Sequence, residues 1–243
     1  MNAPDRHEVT LEWREDVAKG TLAFHFGKPA GFTFSPGQAV EISLIDPPDG
    51  PNDASRAFSL ACAPFEDDLA VATRIRDGSA FKQALKALPT GSRVRLEGPF
   101  GDLTLHDDRT RDAVLVAGGI GITPFISMIR QATHDQLAQR LLLIYSNRRP
   151  EDAAFLAELQ GLERLNPNFR LATTMTAMEM SARDWNGNRG MLDAEAMRRF
   201  VGGATAPIHY VAGPPAMVQA ITGVLARAGV KDEDIRSEEF SGY

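Results

Sequence analysis

The stretch from Ala113 to Arg130, AVLVAGGIGITPFISMIR, limits most sharply what this chain can fold into. Ala113 to Ala117 make a short apolar run with two valines, too short for a helix and closed by Gly118 and Gly119, so they read as a strand buried on both faces. A glycine turn follows. Thr123 is placed to cap the next helix through its hydroxyl, and Pro124 is pre-set for the first helical turn, where its missing N–H costs nothing. Strand, turn and helix start together aim unpaired backbone N–H groups and a positive dipole end at one spot, which suits an anionic pyrophosphate.

Two departures qualify this reading. The run Gly119-x-Gly121-x-x puts Pro124 where the dinucleotide fingerprint has a third glycine, so a plain tight strand-to-helix turn stays open as the alternative. The next strand, Leu141 to Tyr145, runs into Ser146-Asn147-Arg148-Arg149, with no acid where ribose hydroxyls are usually held. A nicotinamide nucleotide bound here does not use the ordinary Rossmann grip.

With 243 residues, 43% of them hydrophobic, the chain has material for two ordinary domains or one large one. A formal charge of −6 and the absence of any basic run argue against a nucleic-acid partner. No apolar stretch reaches the roughly 18 residues of a membrane span, and Met1 to His7 lack a signal-peptide core. The expected location is the cytoplasm. Cys62 is the one cysteine, which excludes an intrachain disulfide and any four-thiolate iron–sulfur cluster built by this chain alone. No metal site is read from the sequence, so electron chemistry here needs another cofactor.

Up to about residue 108 the chain reads as short strands, at Glu8 to Trp13, Thr21 to Phe26, Gln38 to Leu44, Arg56 to Cys62, Leu69 to Ile75 and Arg93 to Glu97. Breakers such as Ser35-Pro36-Gly37 and Pro89-Thr90-Gly91 separate them, the grammar of a small antiparallel Greek-key barrel. One helix interrupts the series near Ser79 to Leu88. Beyond Asp107-Asp108-Arg109, strands near Ala113 to Ala117, Leu141 to Tyr145, Phe169 to Met175 and Ile208 to Ala212 alternate with helices. Those helices fall near Pro124 to Ala132, Glu151 to Leu162, Asp193 to Phe200 and Pro215 to Ala228. That alternation predicts a parallel doubly wound α/β sheet. The expected division is residues 1–108 and 109–243. Tyr210-Val211-Ala212-Gly213-Pro214-Pro215-Ala216-Met217 repeats the strand, glycine and proline design of the opening stretch, again at a strand's carboxyl end, where ligands sit in open sheets.

In the first half, Ser55-Arg56-Ala57-Phe58-Ser59-Leu60 puts a fixed cation, an aromatic ring and a hydroxyl on one strand. Arg56 and Phe58 share a face, while Ser59 points to the other or lies where the strand ends. A guanidinium suits a phosphate, and an aromatic ring suits a flat heterocycle.

Arg56-Ala57-Phe58-Ser59, Gly98-Pro99-Phe100-Gly101, Gly118-Gly119-Ile120-Gly121-Ile122-Thr123-Pro124, Ala212-Gly213-Pro214-Pro215 and Glu238-Glu239-Phe240, in this order, resemble the ferredoxin–NADP reductase family in its flavin-reductase-like and oxygenase-reductase-like branch. The resemblance implies a flavin-binding barrel, a nicotinamide-nucleotide-binding domain and hydride transfer in the cleft between them. It implies FAD, the commoner family choice, with FMN as the alternative, and NADH or NADPH as co-substrate, NADH slightly ahead. By position, Arg56 holds a flavin phosphate, Phe58 packs on the isoalloxazine beside Ala57, and Ser59 bonds near the reactive nitrogen. Family members usually carry tyrosine at Phe58, so a phenol hydrogen bond is missing here.

The same resemblance makes Thr73 to Lys82 a second phosphate element, with Thr73, Arg74, Ser79 and Lys82 as donors. Phe81 there is either helix core or a flavin contact. Gly118, Gly119, Gly121, Thr123 and Pro124, with Ala212, Gly213, Pro214 and Met217, receive the nicotinamide nucleotide. Many relatives carry cysteine at Ala212, so no thiol is available there. Phe240 and Tyr243 are the candidates for a C-terminal aromatic over the flavin, against the alternative of a frayed end. Ser59 and Phe240 are the residues expected nearest the reaction. The expected activity passes electrons from NAD(P)H through flavin to a separate acceptor such as ferredoxin or another redox protein. Reduction of free flavin, a small molecule or a ferric chelate is the close alternative. A flavin-bearing regulatory subunit without turnover, or an α/β binding protein without flavin, stands further off.

Overall fold

The computed structural model describes residues 5–45 and 55–240, which form two six-stranded sheets. The front lobe comprises β1 (Arg6–Ala18), β2 (Thr21–Gly27), β3 (Ala39–Leu44), β4 (Ser55–Ser59), β5 (Asp68–Arg74), α1 (Ala80–Ala87) and β6 (Arg93–Phe100). Every pairing in its order β4-β3-β6-β1-β2-β5 is antiparallel, and a bridge from Leu60 to Val71 closes the sheet on itself. Insertion of β6 between β3 and β1 makes this a Greek key rather than a meander. Inward residues Leu11, Phe24, Phe26, Val40, Ile42, Leu69, Val71, Val94 and Leu96 form its core, and α1 adds Phe81, Ala84 and Leu85.

The back lobe contains β7 (Ala113–Gly118), α2 (Thr123–His134), β8 (Leu141–Asn147), α3 (Leu156–Leu165), β9 (Phe169–Met175), β10 (Asn188–Arg189), α4 (Ala194–Val201), β11 (Ile208–Gly213), α5 (Pro215–Arg227) and β12 (Ile235–Glu239). Its order is β10-β9-β8-β7-β11-β12, all parallel, so the winding reverses between β7 and β11. Alternation along β7 explains the two layers of helix. Leu115 and Ala117 pack with Phe125, Ile126 and Ile129 of α2 and Leu159 of α3, whereas Val114 and Val116 pack with Met197 of α4 and Val218, Ile221 and Leu225 of α5. Each of those fully buried valine and leucine side chains contributes about 1.5–3 kcal/mol.

Three local expectations are corrected. Helix α3 starts at Leu156, not near Glu151: residues Pro150–Asp152 make a single tight turn, Arg149 pairs with Asp152, and Phe155 adopts a left-handed φ of 58° while its N–H reaches the carbonyl of Val17. Docking on the β1–β2 hairpin overrides local helix preference here. Thr123 is not the cap of α2. Gly119–Ile122 form a 3-10 turn leading straight into the helix, and the Thr123 hydroxyl donates back to the carbonyl of Ile120 at 3.1 Å. Finally, the tail from Ile235 to Glu239 is a parallel edge strand on β11, and β10 is a two-residue edge, neither expected from sequence.

The lobes share a seam. Ala23, Ala61 and Ala72 of the front lobe pack into the same core as α2, and the Lys19 N–H donates to the carbonyl of Glu151 at 2.8 Å. Among the described residues no helix is long and apolar enough to cross a membrane. Cys62 lies fully buried near this seam, and burial pushes its thiol up to about 12, with Glu66 and Asp68 adding to the rise. It is therefore neutral and shielded at about pH 8. Dithionitrobenzoate should release no chromophore from the native chain at that pH and the full single equivalent after unfolding; prompt reaction of the folded protein would contradict the burial.

Candidate functional site

A cleft of about 920 Å³ opens between the lobes. Its front wall is β4 with the end of β5. Arg56 and Ala57 are exposed, while Phe58 and Ser59 are buried but still border the opening. Ser59 is the last residue of β4, which is how it joins Arg56 and Phe58 in one cleft instead of facing away. Its Oγ is buried, with no hydrogen-bond partner among the described residues. An unmatched buried hydroxyl costs about 1–3 kcal/mol, so this atom is chemically prepared for a ligand donor or acceptor. Phe58 leans on Phe81, with ring centroids 6.0 Å apart, and the Arg56 guanidinium lies 5.6 Å from the Phe81 centroid. Phe81 is core, 2% exposed in the barrel, and it also borders the cleft beneath Phe58 and Arg56.

Positive charge gathers along this wall. Arg56, Arg74, Arg76 and Lys82 all line the cleft. Burial, then the neighbouring Arg76 and Arg56 guanidinium groups, holds the Lys82 ammonium below its ordinary range. Convergent cations of this kind are at ease only with an anion between them. Ser79 caps α1 by accepting from the Lys82 N–H at 3.4 Å, and the cap residue, Gly78 and Ala80 also border the cleft. Arg74 has a second tie, 3.9 Å from Asp152 across the seam. Arg76, which no sequence motif singles out, joins Arg74 and Lys82 on this wall, and its guanidinium contributes to the lowering of Lys82.

The back wall is narrower: of the opening stretch only Ile120 and Thr123 reach the cleft lining. Gly118, Gly119, Gly121, Pro124, Ala212, Gly213, Pro214 and Met217 do not line it, and several of them have a packing duty. A Cβ on Gly118 would run into the Met217 sulfur and lie 3.1 Å from Cδ of Pro214. One on Gly121 would overlap the carbonyl of Ala212. These glycines let the turn after β7 and the turn after β11 sit backbone against backbone at the point where the winding reverses.

The tail completes the cleft. Phe240 lines it, anchored by its N–H to the carbonyl of Gly213 at 2.9 Å, and Tyr243 lies outside the described residues. Glu238 and Glu239 border it as well, and burial pushes the Glu238 carboxyl above its ordinary range. No role for these acids was read from sequence. The polar run Ile235-Arg236-Ser237-Glu238-Glu239 has no strand signal, and only pairing with β11 carries its acids to the opening. Phe100, an exposed aromatic at the end of β6, borders the cleft too.

A hollow of about 530 Å³ lies at the ends of β9 and β10, beside Thr176, Glu179, Arg183, Asp184, Trp185 and Arg189. Arg149 is held by its fork on Asp152, 2.7 Å on each side, and its remaining arm donates to the Met180 carbonyl at 3.3 Å. Arg148 reaches the Met180 sulfur at 3.6 Å.

An antiparallel barrel facing a doubly wound parallel sheet across such a cleft is the architecture of ferredoxin–NADP reductase-like proteins, and the solved structure of the cytochrome P450 reductase GcoB of Amycolatopsis matches it with a TM-score of 0.83. That match has 25% identity over 98% of this chain and 71% of that one. The oxidoreductase NAD-binding domain family model matches residues 115–223. Ferredoxin–NADP reductase B of Sorangium cellulosum is 31% identical over 229 residues, 90% of each chain. The reductase subunit of glycine betaine monooxygenase from Chromohalobacter salexigens is 27% identical over 220 residues, 90% of this chain and 60% of its own length. The chain belongs to the ferredoxin–NADP reductase family. It spans 60% to 64% of the length of three oxygenase reductase components that it matches.

Proposed function

We propose that this chain is a flavin-dependent NAD(P)H oxidoreductase that passes electrons through FAD to a separate redox protein, in the cytoplasm. The observation that carries the reading is the cleft itself: a cationic, aromatic wall with an unsatisfied buried Ser59 hydroxyl stands opposite the Ile120–Thr123 turn and Phe240. Bound flavin would supply a carrier that takes two electrons as a hydride from NAD(P)H and releases them one at a time.

The chain's own residues bind, orient and exclude water. Arg56, with Arg74, Arg76 and Lys82, neutralises the flavin's phosphates, and Thr73, Ser79 and the start of α1 add hydrogen bonds. Phe58 and Ala57 would pack against the flavin ring, and the Ser59 hydroxyl would find its hydrogen-bond partner there. Thr123 and the turns around Gly118, Gly119, Gly121, Pro124, Ala212, Gly213, Pro214 and Met217 present the nucleotide. Phe240, anchored to the Gly213 carbonyl, would shield the flavin from water on the cleft's far side. Hydride transfer needs close, aligned rings more than a protein acid or base.

NADH is favoured over NADPH. Arg149 is committed to Asp152, and Glu179 and Asp184 stand beside Arg183 and Arg189 in the hollow near β9. A 2′-phosphate needs free basic groups, and neighbouring carboxylates oppose it. Cys62 is the one cysteine of these 243 residues, so they cannot build a four-thiolate cluster, and the one-electron acceptor lies outside them.

The purified chain should be yellow, and anaerobic NADH should bleach it faster than NADPH at equal concentration. A colourless protein that takes up no FAD on titration, or a yellow one that neither nucleotide bleaches, would overturn the reading.

A further inference from the structure

Arg130 stands on α2, seven residues beyond Thr123, with its side chain 16% exposed. It makes a fork on Glu158 of α3, Nε to Oε1 at 2.6 Å and Nη2 to Oε2 at 2.9 Å. Its remaining arm crosses to the front lobe. There Nη1 donates to the carbonyl of Ala61 at 3.0 Å and lies 3.3 and 3.4 Å from the Glu66 carboxylate oxygens. The guanidinium also lies over the Phe155 ring, 5.6 Å from its centroid. Glu66 is itself fixed, accepting from the Ala63 N–H at 2.9 Å.

The position of these contacts matters more than their number. Ala61 follows Ser59, the last residue of β4, by two residues, so the carbonyl that Arg130 grips lies just past the strand that forms the front wall of the cleft. Thr123 begins the helix that carries Arg130, about 10 Å of rigid rise away. A short path therefore joins the two walls: Ser59, Ala61, the guanidinium, α2, Thr123. Other direct polar ties between the lobes include Lys19 to Glu151 and Phe155 to Val17 at the β1–β2 hairpin, Arg74 to Asp152, Arg236 to the Thr104 carbonyl and His106 to the Tyr210 hydroxyl. With those ties intact and Arg130 removed, the lobes stay joined but can pivot.

Apolar packing could hold the lobes together as firmly, because burying an ion pair costs much of what its attraction returns. What an arginine fork adds is direction: planar bonds to partners in both lobes fix their relative angle. We propose that Arg130 is a positioning residue that sets the separation and angle of the two cleft walls, Phe58 and Ser59 against Ile120 and Thr123. It rests on the flavin and nicotinamide reading above, because ring-to-ring transfer is the chemistry that such a separation would govern. A misplacement of about 1 Å can cost up to about 100-fold in rate.

The test uses two variants, Arg130→Lys, which keeps the buried charge facing Glu66 and Glu158, and Arg130→Met/Glu158→Gln, which removes fork and carboxylate together. Spin labels on Lys86→Cys in the front lobe and Arg198→Cys in the back lobe report the distance between lobes, since Cys62 is shielded. Stopped-flow reduction by NADH reports the transfer rate. The expected result is a single narrow distance with Arg130 and a broadened or shifted one in both variants. Flavin content should be unchanged, and the limiting reduction rate should fall about 10- to 100-fold with little change in the half-saturating NADH concentration. Unchanged distances and limiting rate, with only a lower melting temperature, would overturn the proposal and leave Arg130 a purely structural residue. If the Arg130 protein itself is not bleached by NADH or NADPH, the functional reading fails, and the label distances alone decide Arg130's part: unaltered distances sink it, broadened ones support it.

Discussion

Arg56→Glu is expected to yield a folded chain that retains almost no flavin. Arg56 is exposed, and the hydrogen bond of its guanidinium, among those described, goes to the neighbouring carbonyl of Ser55 at 2.6 Å. Folding therefore changes little, within about 0.5 kcal/mol for an ordinary surface site. Binding changes greatly. A phosphate loses one or two charge-assisted hydrogen bonds of about 1.5–3 kcal/mol each, and the new carboxylate faces it with like charge. A total near 4 kcal/mol corresponds to about a thousandfold weaker binding. Arg56→Lys should fall between, because an ammonium keeps the charge and loses the planar fork. Titration of the apo chain with FAD, followed by flavin fluorescence, measures each affinity. If Arg56→Glu binds FAD as tightly as the natural chain, the phosphate is held elsewhere and the front wall has been misassigned.

How much of this was legible beforehand depended on whether a feature was set by nearby residues or by distant ones. The strand at Ala113 and the winding of the second sheet were readable because β7 is apolar on both faces and is closed by its own glycines. The barrel was readable because its strands alternate and breakers separate them. By contrast, Phe155 sits in a left-handed conformation because the β1–β2 hairpin offers the carbonyl of Val17, more than a hundred residues earlier. No local pattern carries that information, so the start of α3 was misplaced. The strand β12 is an edge built from Arg236, Ser237, Glu238 and Glu239, and its polarity hides it; pairing with β11 alone makes it a strand. The cleft shows the same division. The chemistry of Arg56, Phe58 and Ser59 is visible as residue types, but their convergence with Arg76, Thr123 and Phe240 is a property of two lobes meeting. The glycines after β7 were legible as a special turn. Whether they are open for a ligand's sake or for another turn's sake was not.

That last distinction leads to Gly121→Ala, which is expected to be among the most damaging single-methyl changes in the chain. The added carbon would overlap the carbonyl of Ala212 and lie 2.7 Å from the nitrogen of Gly213. All of these are backbone atoms of a buried strand end, so no side chain can swing aside. The turn after β7 must move away from β11, opening the layer that Leu115, Ala117 and Tyr210 fill. Overpacking of this kind costs about 3 kcal/mol, which lowers the melting temperature by roughly 6–12 °C for a chain of this size. Gly20→Ala is the control: its φ is 68° and nothing lies within 4 Å of the added carbon. Only the left-handed backbone is penalised there, about 1–2 kcal/mol. The two variants should also differ in kind. Gly121→Ala displaces Ile120 and Thr123 while leaving the front wall alone, so at temperatures where it stays folded it should keep its flavin and reduce it slowly. Gly20→Ala should keep its flavin and reduce it at the unmodified chain's rate. Equal melting temperatures for the two would mean that the paired turns have slack, and that their glycines serve a ligand's approach more than each other's.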